Sequence, residues 1–229
     1  MTSNDWWRPG VREPERLAAL RRSGLFETGP EDAFDRLTEL AAVVTGATRA
    51  CITLVDASHY AYKSAVGVAE GAPQIGPIEE SFCYYVVGSS KPFVVDDARG
   101  DPRTYDNPAI EINGIAAWAG YPIEDAAGWV LGTFCLIATE PYAWTDTDLH
   151  VLATLAQATS SEIALRRARS VIASARSCVD EVRTAAEAEL TAGTAGSSRD
   201  AITAILNRSI QAARRISDML DPNTTRLRK

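Results

Sequence analysis

Between residues 31 and 44 the apolar positions Phe34, Leu37, Leu40, Ala41 and Val44 recur every three or four residues, the period of an amphipathic helix. Gly29-Pro30 separates this helix from a shorter one predicted over 16–22, and Gly46 ends it. The pattern then changes to β-formers: residues 49–55 read as a buried strand closed by Asp56, and 60–66 as its hairpin partner. A loop rich in Gly and Pro spans 67–77. "SFCYYVV" (81–87) predicts a short helix, with Ser81 as N-cap and Gly88 following. Residues 92–96 predict a short strand, and "DARGDPRTYDNPAIEING" a loop with at most a turn or two of helix. Two more strands follow, 116–123 and 129–138, joined by a hairpin turn at "EDAAG". Turns this short rule out parallel crossovers, so the pattern implies an α+β fold with an antiparallel sheet flanked by helices.

From Thr145 the period is helical throughout. Leu149, Leu152, Leu155, Ala156, Thr159 and Ile163 share a face behind Asp146 and Asp148, and Ile172, Ala175, Val179, Val182, Ala186 and Leu190 continue it. "TAGTAGSS" (191–198) interrupts, and Ile202, Leu206, Ser209, Ala213, Ile216 and Leu220 resume the period before Pro222. The result is a C-terminal helical hairpin. One hairpin with narrow apolar stripes buries little, whereas two hairpins can form a four-helix bundle, so a homodimer is expected.

The 229 residues and their 46% apolar share suit one compact domain plus a helical extension. The expected division is a sensor-sized domain over 12–165, a dimerisation hairpin over 166–222, and flexible termini at 1–11 and 223–229. Apolar runs such as 129–138 fall well short of the roughly 20 residues that cross a bilayer. "MTSNDWWRPG" also lacks a signal peptide's apolar stretch, and a cytoplasmic protein is expected. Charge is uneven: from residue 166 there are 12 Lys+Arg against 7 Asp+Glu, and before it 11 against 23. The basic tail interleaves acids and lacks aromatic residues, so it reads as a solvated helix face rather than a nucleic-acid site.

Candidate chemistry is sparse. The four cysteines, at 51, 83, 135 and 178, share no CxxC spacing and read as reduced, buried thiols. Cys83 would need a nearby cation or helix N-terminus to become a reactive thiolate, and Glu79 and Glu80 oppose one. Neither His59 nor His150 has a metal ligand at useful spacing. Asp96-Asp97 and Asp101 flank a loop containing Pro102 and Pro108, where Asp ordinarily caps turns. No phosphate loop, serine nucleophile motif or HExxH is present, and no enzymatic activity is expected. Phe82, Tyr84 and Tyr85 offer aromatic faces with polar tips suited to a planar ligand.

Four segments in order carry a resemblance: "FDRLTELAAVVTGATRACITLVDASHYAYKSAVG", "SFCYYVV", "FVVDDARGDPRTYDNP" and "AGYPIEDAAGWVLGTFCLIATEPYAWTD". Together, over about residues 12 to 165, they resemble a bacterial GAF domain of the group often fused to sensor kinases, cyclases and phosphatases. The resemblance implies an antiparallel sheet with helices on one face, a small-molecule pocket on the other, and terminal helices that commonly dimerise. Departures narrow the chemistry. Tyr85 stands where this group often has His, no strong NKFDE-type cyclic-nucleotide signature appears, and Tyr84 replaces the His of the bilin-binding Cys-His pair. The cysteine pattern of GAF-type free methionine sulfoxide reductases is not recognisable either. The hairpin is similar to the dimerisation hairpin of histidine kinases, but "SARSCVDEVRTAAEAEL" contains no His and no ATPase domain follows, so autokinase activity is not expected.

The expectation is a non-enzymatic sensor signalling through a dimeric helical bundle to a separate output protein. Its expected ligand-binding set is Phe82, Cys83, Tyr84, Tyr85, Asp96, Trp118 and Tyr121. The ligand and any cofactor are unknown from sequence, no metal site is expected, and neither nucleic acid nor membrane is an expected partner. The alternatives are a ligand-free scaffold and, less favoured, a thiol-based redox enzyme using Cys83.

Overall fold

In the computed structural model, residues 7–69, 71, 73–192 and 198–220 are described. The chain divides into two compact units, Met1–Ala164 and Leu165–Lys229. The first begins with the helices α1 (Arg8–Val11), α2 (Pro14–Ser23) and α3 (Asp32–Thr45). The strands β1 (Arg49–Val55), β2 (His59–Val66) and β3 (Ile75–Pro77) come next, then a 3-10 turn, Ile78–Glu80. The remainder is α4 (Cys83–Ser89), β4 (Phe93–Val95), α5 (Ala109–Ile112), β5 (Ala117–Glu124), β6 (Val130–Ala138) and the start of α6 (Asp146–Ala192). The six strands form one sheet in the order β3-β2-β1-β6-β5-β4, antiparallel at every pairing. The α+β fold with an antiparallel sheet flanked by helices is therefore present. The predicted strand at 49–55 coincides with β1, the strand at 75–77 lies in a segment expected as loop, and the single turn at 109–112 falls within the turn or two of helix expected there.

Each face of the sheet carries a layer, which is why β1 and β6 are nearly continuous apolar runs rather than alternating ones. On one face Ile52, Leu54, Phe134 and Leu136 pack against Leu20 of α2, Phe34 of α3 and Leu152 of α6. On the other, Cys51, Val55, Cys135 and Ile137 pack against α4, with Val11 of α1 and Ile110 of α5 in the same cluster. At Gly88 the backbone of Trp7 lies so close that a Cβ would fall 2.6 Å from the Trp7 side chain. That approach seats the N-terminal segment: Trp7 and Val11 are buried, and Trp7 stacks on Tyr84 at 4.3 Å. Within the stretch expected to be a flexible start (1–11), residues 7–11 are therefore packed, because two apolar side chains find a groove over α4. Residues 1–6 and the expected tail 223–229 lie outside the described residues.

Two buried cations hold the connections in place. Arg16 on α2 is 2% exposed and donates to the carbonyls of Val11 (2.6 and 3.0 Å), Val55 (2.8 Å), Val130 (3.3 Å) and Asp56 (3.3 Å). Between β1 and β2 the register shifts at Ile52 and Thr53, whose β2 partners are Ser64 and Tyr62. Lys63 is the extra residue of this bulge, and it lies on the same face as Ser64. Lys63 Nζ donates to Thr28 Oγ1, Gly29 O and Glu31 Oε1, each at 2.7 Å, fixing the α2–α3 connection. Ser64 meets Thr38 Oγ1 at 2.8 Å and donates to Asp35 at 2.6 Å on α3.

The start of α6 is capped reciprocally. Thr145 N and Oγ1 donate to Asp148 Oδ2 at 3.0 and 2.7 Å, and Asp148 N donates to Thr145 Oγ1 at 3.2 Å. The second unit contains the remainder of α6 and α7 (Ser198–Leu220), with Arg215 on α7 reaching Glu181 on α6 at 3.5 Å. Residues 193–197 of the predicted breaker lie outside the described residues. Among the described residues no helix is long and apolar enough to cross a membrane.

Candidate functional site

The aromatic residues singled out from the sequence come together, but as packing. Phe82, Trp118, Tyr85 and Tyr84 are 0, 1, 3 and 7% exposed. Tyr85 stacks on Phe93 at 4.4 Å, and Phe82 meets both Tyr85 and Trp118 edge-on near 6 Å. The phenols are satisfied internally: Tyr85 donates to Arg103 O at 2.5 Å, and Tyr84 accepts from Asn107 Nδ2 at 2.9 Å. Trp118 lies over Gly120, where a Cβ would stand 2.1 Å from the indole. None of these residues lines the cavity described below.

Asp96 and Tyr121 fall elsewhere. Asp96 is exposed and accepts from Trp144 N at 3.3 Å, tying the end of β4 to the segment before α6. Tyr121 packs with the α2–α3–α6 side of the sheet, opposite Trp118, because three residues along a strand reverse the face. The other acids make turns and local pairs. Asp97 accepts from Arg99 N at 3.1 Å, and Asp101 accepts from Arg103 N at 2.8 Å and pairs with the Arg103 guanidinium. His59 is exposed beside Ser58 and Asp56, and His150 is exposed on α6.

Cys83 opens α4 at the centre of the core. Its N–H donates to Ser81 Oγ at 3.0 Å, and its Sγ accepts from Thr133 Oγ1 at 3.2 Å. Cys51 and Cys135 are direct cross-strand partners beside it, so three thiols converge. Burial pushes the Cys83 thiol well above its ordinary value, with Cys135 adding to the effect. Cys135 is raised first by its contact with Cys51 and further by burial. Such thiols are poor nucleophiles. Among the described residues no group of three His, Cys, Asp or Glu stands where it could hold a metal ion.

The cavity lies on the α4 face at the β3 end of the sheet and has a volume of about 470 Å³, within the range of small-molecule sites. Arg49 at the start of β1, Tyr60 and Tyr62 of β2, Glu80 before α4 and Asn113 after α5 supply its polar walls. Val68, Ile75 and Ile112 supply apolar ones. Tyr60 and Tyr62 share a face by strand alternation and meet edge-on, with ring centroids 5.4 Å apart. Burial raises both phenols, so both are neutral donors near pH 7. Arg49 Nη1 donates to Asn113 O at 2.6 Å, while Asn113 Nδ2 donates to Glu80 O at 2.8 Å. Asn113 thus joins the two charged walls through the backbone. These residues were not in the expected set. The available signal was the pair Tyr60 and Tyr62, two positions apart on a strand in line with Arg49.

A six-stranded antiparallel sheet with helices on both faces and a cavity at one end of the sheet defines an α+β domain of GAF type. The chain belongs to the GAF domain family, a family of signalling and sensory domains, whose model matches residues 29–163. Over 130 residues it is 31% identical to a cyclic di-GMP phosphodiesterase of Pseudomonas aeruginosa, covering 56% of this chain and 22% of that protein. The chain therefore spans about a fifth of that relative's length. The GAF domain of a phosphoenolpyruvate-protein phosphotransferase from Coxiella burnetii superposes with a TM-score of 0.51 at 20% identity, over 68% of this chain and 96% of that one. A corresponding Acinetobacter domain gives 0.49 at 17% identity, over 65% and 92%. At such identities the likeness to solved structures speaks to fold alone.

Proposed function

We propose that this protein is a non-catalytic GAF sensor that binds a small molecule in the Arg49–Tyr60–Tyr62–Glu80–Asn113 cavity and signals through a homodimeric helical bundle to a separate protein. The observation that carries the reading is the cavity itself: a ligand-sized space whose walls combine two aromatic rings, a guanidinium, a carboxylate and apolar edges. The absence of a membrane-crossing helix among the described residues and the four free cysteines suit a reducing cytoplasm. The redox-enzyme alternative is disfavoured by the burial of Cys83 and Cys135 and the upward shift of their thiols.

Dimerisation is supported by apolar side chains that the second unit leaves exposed. Leu165, Ile172 and Val179, one heptad apart on α6, are 45, 52 and 61% exposed. Ile202, Leu206 and Ile210 on α7 repeat every four residues and are at least half exposed. Stripes with these periods are what a second copy covers in a helical bundle. Signalling then requires that the ligand favour one bundle arrangement over another.

Native mass spectrometry of freshly purified protein is expected to show a dimer carrying a stoichiometric small molecule. Ile172→Lys with Val179→Lys is expected to give monomers, and a dimer of unchanged mass would reject the bundle. Tyr62→Ala is expected to release the small molecule while leaving the dimer intact. A specific observation favours the scaffold as second reading: aromatic side chains fill the space where the sequence placed the ligand. A bare dimer that responds to no ligand would favour it.

A further inference from the structure

We propose that the cavity recognises a zwitterion of free amino-acid size, with its carboxylate on Arg49 and its ammonium on Glu80; this rests on the cavity being the ligand site. Arg49 and Glu80 are the charged residues among the described walls, and they are of opposite sign. Opposite charges in one small cavity ordinarily neutralise each other. Here Arg49 makes one hydrogen bond, to Asn113 O, and has no ion-pair partner among the described residues. The Glu80 carboxylate has neither hydrogen bond nor ion-pair partner among them, since the bond at Glu80 goes to its backbone carbonyl. Both residues are half-buried, so part of their hydration is already lost. Asn113 bonds to the Arg49 guanidinium through its backbone carbonyl and to the Glu80 backbone through its side chain, and no ion pair joins the two charges.

A ligand that satisfies both must carry both charges. A phosphate dianion would gain from Arg49 but bring two negative charges beside Glu80, where repulsion in a partly desolvated site is strong. A simple amine would leave Arg49 unmatched, and a simple carboxylate would leave Glu80 unmatched. An α-amino acid places its two charged groups on adjacent bonds, and its side chain would extend along Tyr60, Tyr62 and the apolar wall of Val68, Ile75 and Ile112. The guanidinium suits the carboxylate because two N–H groups can meet two oxygens. The neutral phenols add orientation without altering the charge balance.

The test uses the full chain, labelled at tyrosine for NMR, and pools of free L-amino acids, their N-acetyl derivatives and their decarboxylated amines. The pools share side chains and differ only in charge, and phenyl phosphate serves as a dianionic comparison. Perturbation of the Tyr60 and Tyr62 resonances by the free amino acids is expected, with affinity at least about tenfold above either other pool. Arg49→Met is expected to erase the advantage over the amines, and Glu80→Gln the advantage over the N-acetyl derivatives, at unchanged melting temperature. An N-acetyl pool or phenyl phosphate that binds as tightly as the free amino acids would overturn the zwitterion while leaving the cavity as the ligand site. Silence of both tyrosines to every probe, together with a bare dimer in the mass spectrum, would overturn both readings.

Discussion

Replacement of Arg16 by methionine is expected to lower the unfolding free energy by about 3 to 5 kcal/mol, a larger loss than any substitution in the cavity. The guanidinium sits almost wholly out of water and donates to four backbone carbonyls at the ends of α1, β1 and β6. Burial lowers its pKa to about 10 against the opposing pull of Asp56, which measures how strongly the site resists a charge that those carbonyls nonetheless hold. Methionine fills much of the same volume but leaves the carbonyls without donors, each such loss costing about 1 to 3 kcal/mol. Thermal melting should fall by roughly 10 °C for a domain of this size. Arg16→Lys should recover part of the loss, since an ammonium supplies fewer and differently placed donors. A melting temperature within a degree or two of the parent in the methionine variant would mean that water reaches these carbonyls.

The second large effect is alkaline destabilisation. Cys83, Cys135 and Tyr84 all have acid groups whose pKa is raised in the folded state, Cys83 and Tyr84 chiefly by burial and Cys135 first by Cys51. Their contributions are complete below the unfolded values, 9.0 for the thiols and 10.0 for the phenol, and are lost progressively as pH rises from there toward the higher folded values. Above those values the unfolded chain releases protons that the folded protein retains, so the equilibrium moves toward unfolding. Each group adds a slope of about 1.4 kcal/mol per pH unit, so the two thiols together give about 3. Urea unfolding at pH 7.5 and pH 10.5 should show the midpoint falling steeply, and Cys83→Ser should remove part of the slope. A pH-independent midpoint across that range would show that the thiols ionise in place.

Most of the fold was legible from local chemistry. β1 announces itself as an unbroken run of β-formers and α3 by its apolar spacing, although Leu40 and Val44 of that stripe are exposed and Thr38 is buried beside Phe34 and Ala41. β3 does not, since Ile75-Gly76-Pro77 is held by backbone pairing to His59, Tyr60 and Ala61, and its own residue types argue against a strand. Trp7 and Val11 were equally hidden, because their burial depends on a groove over α4 that no neighbouring residue signals. The site was the least legible part. Aromatic density around Cys83 correctly marked a buried place, but it could not distinguish a filled core from an open one. The walls of the cavity come from Arg49, Tyr60, Tyr62, Glu80 and Asn113, and strand pairing and the turn before α4 bring these separate segments together. One part of the scatter of the expected set was visible beforehand: Trp118 and Tyr121 are an odd number of positions apart on one strand, so they face opposite ways.

Lys63 shows how a strand can acquire a side chain without changing its meaning. Ile52 opposes Ser64 and Thr53 opposes Tyr62, so the ladder reads as a regular one into which a single residue has been inserted. Tyr62 keeps its place toward the cavity and Ser64 its place toward α3, as they would if position 63 were deleted. The strand therefore carries an amine beneath Thr28, Gly29 and Glu31 as an addition outside its alternating code, leaving the cavity-facing and helix-facing sets independent of it.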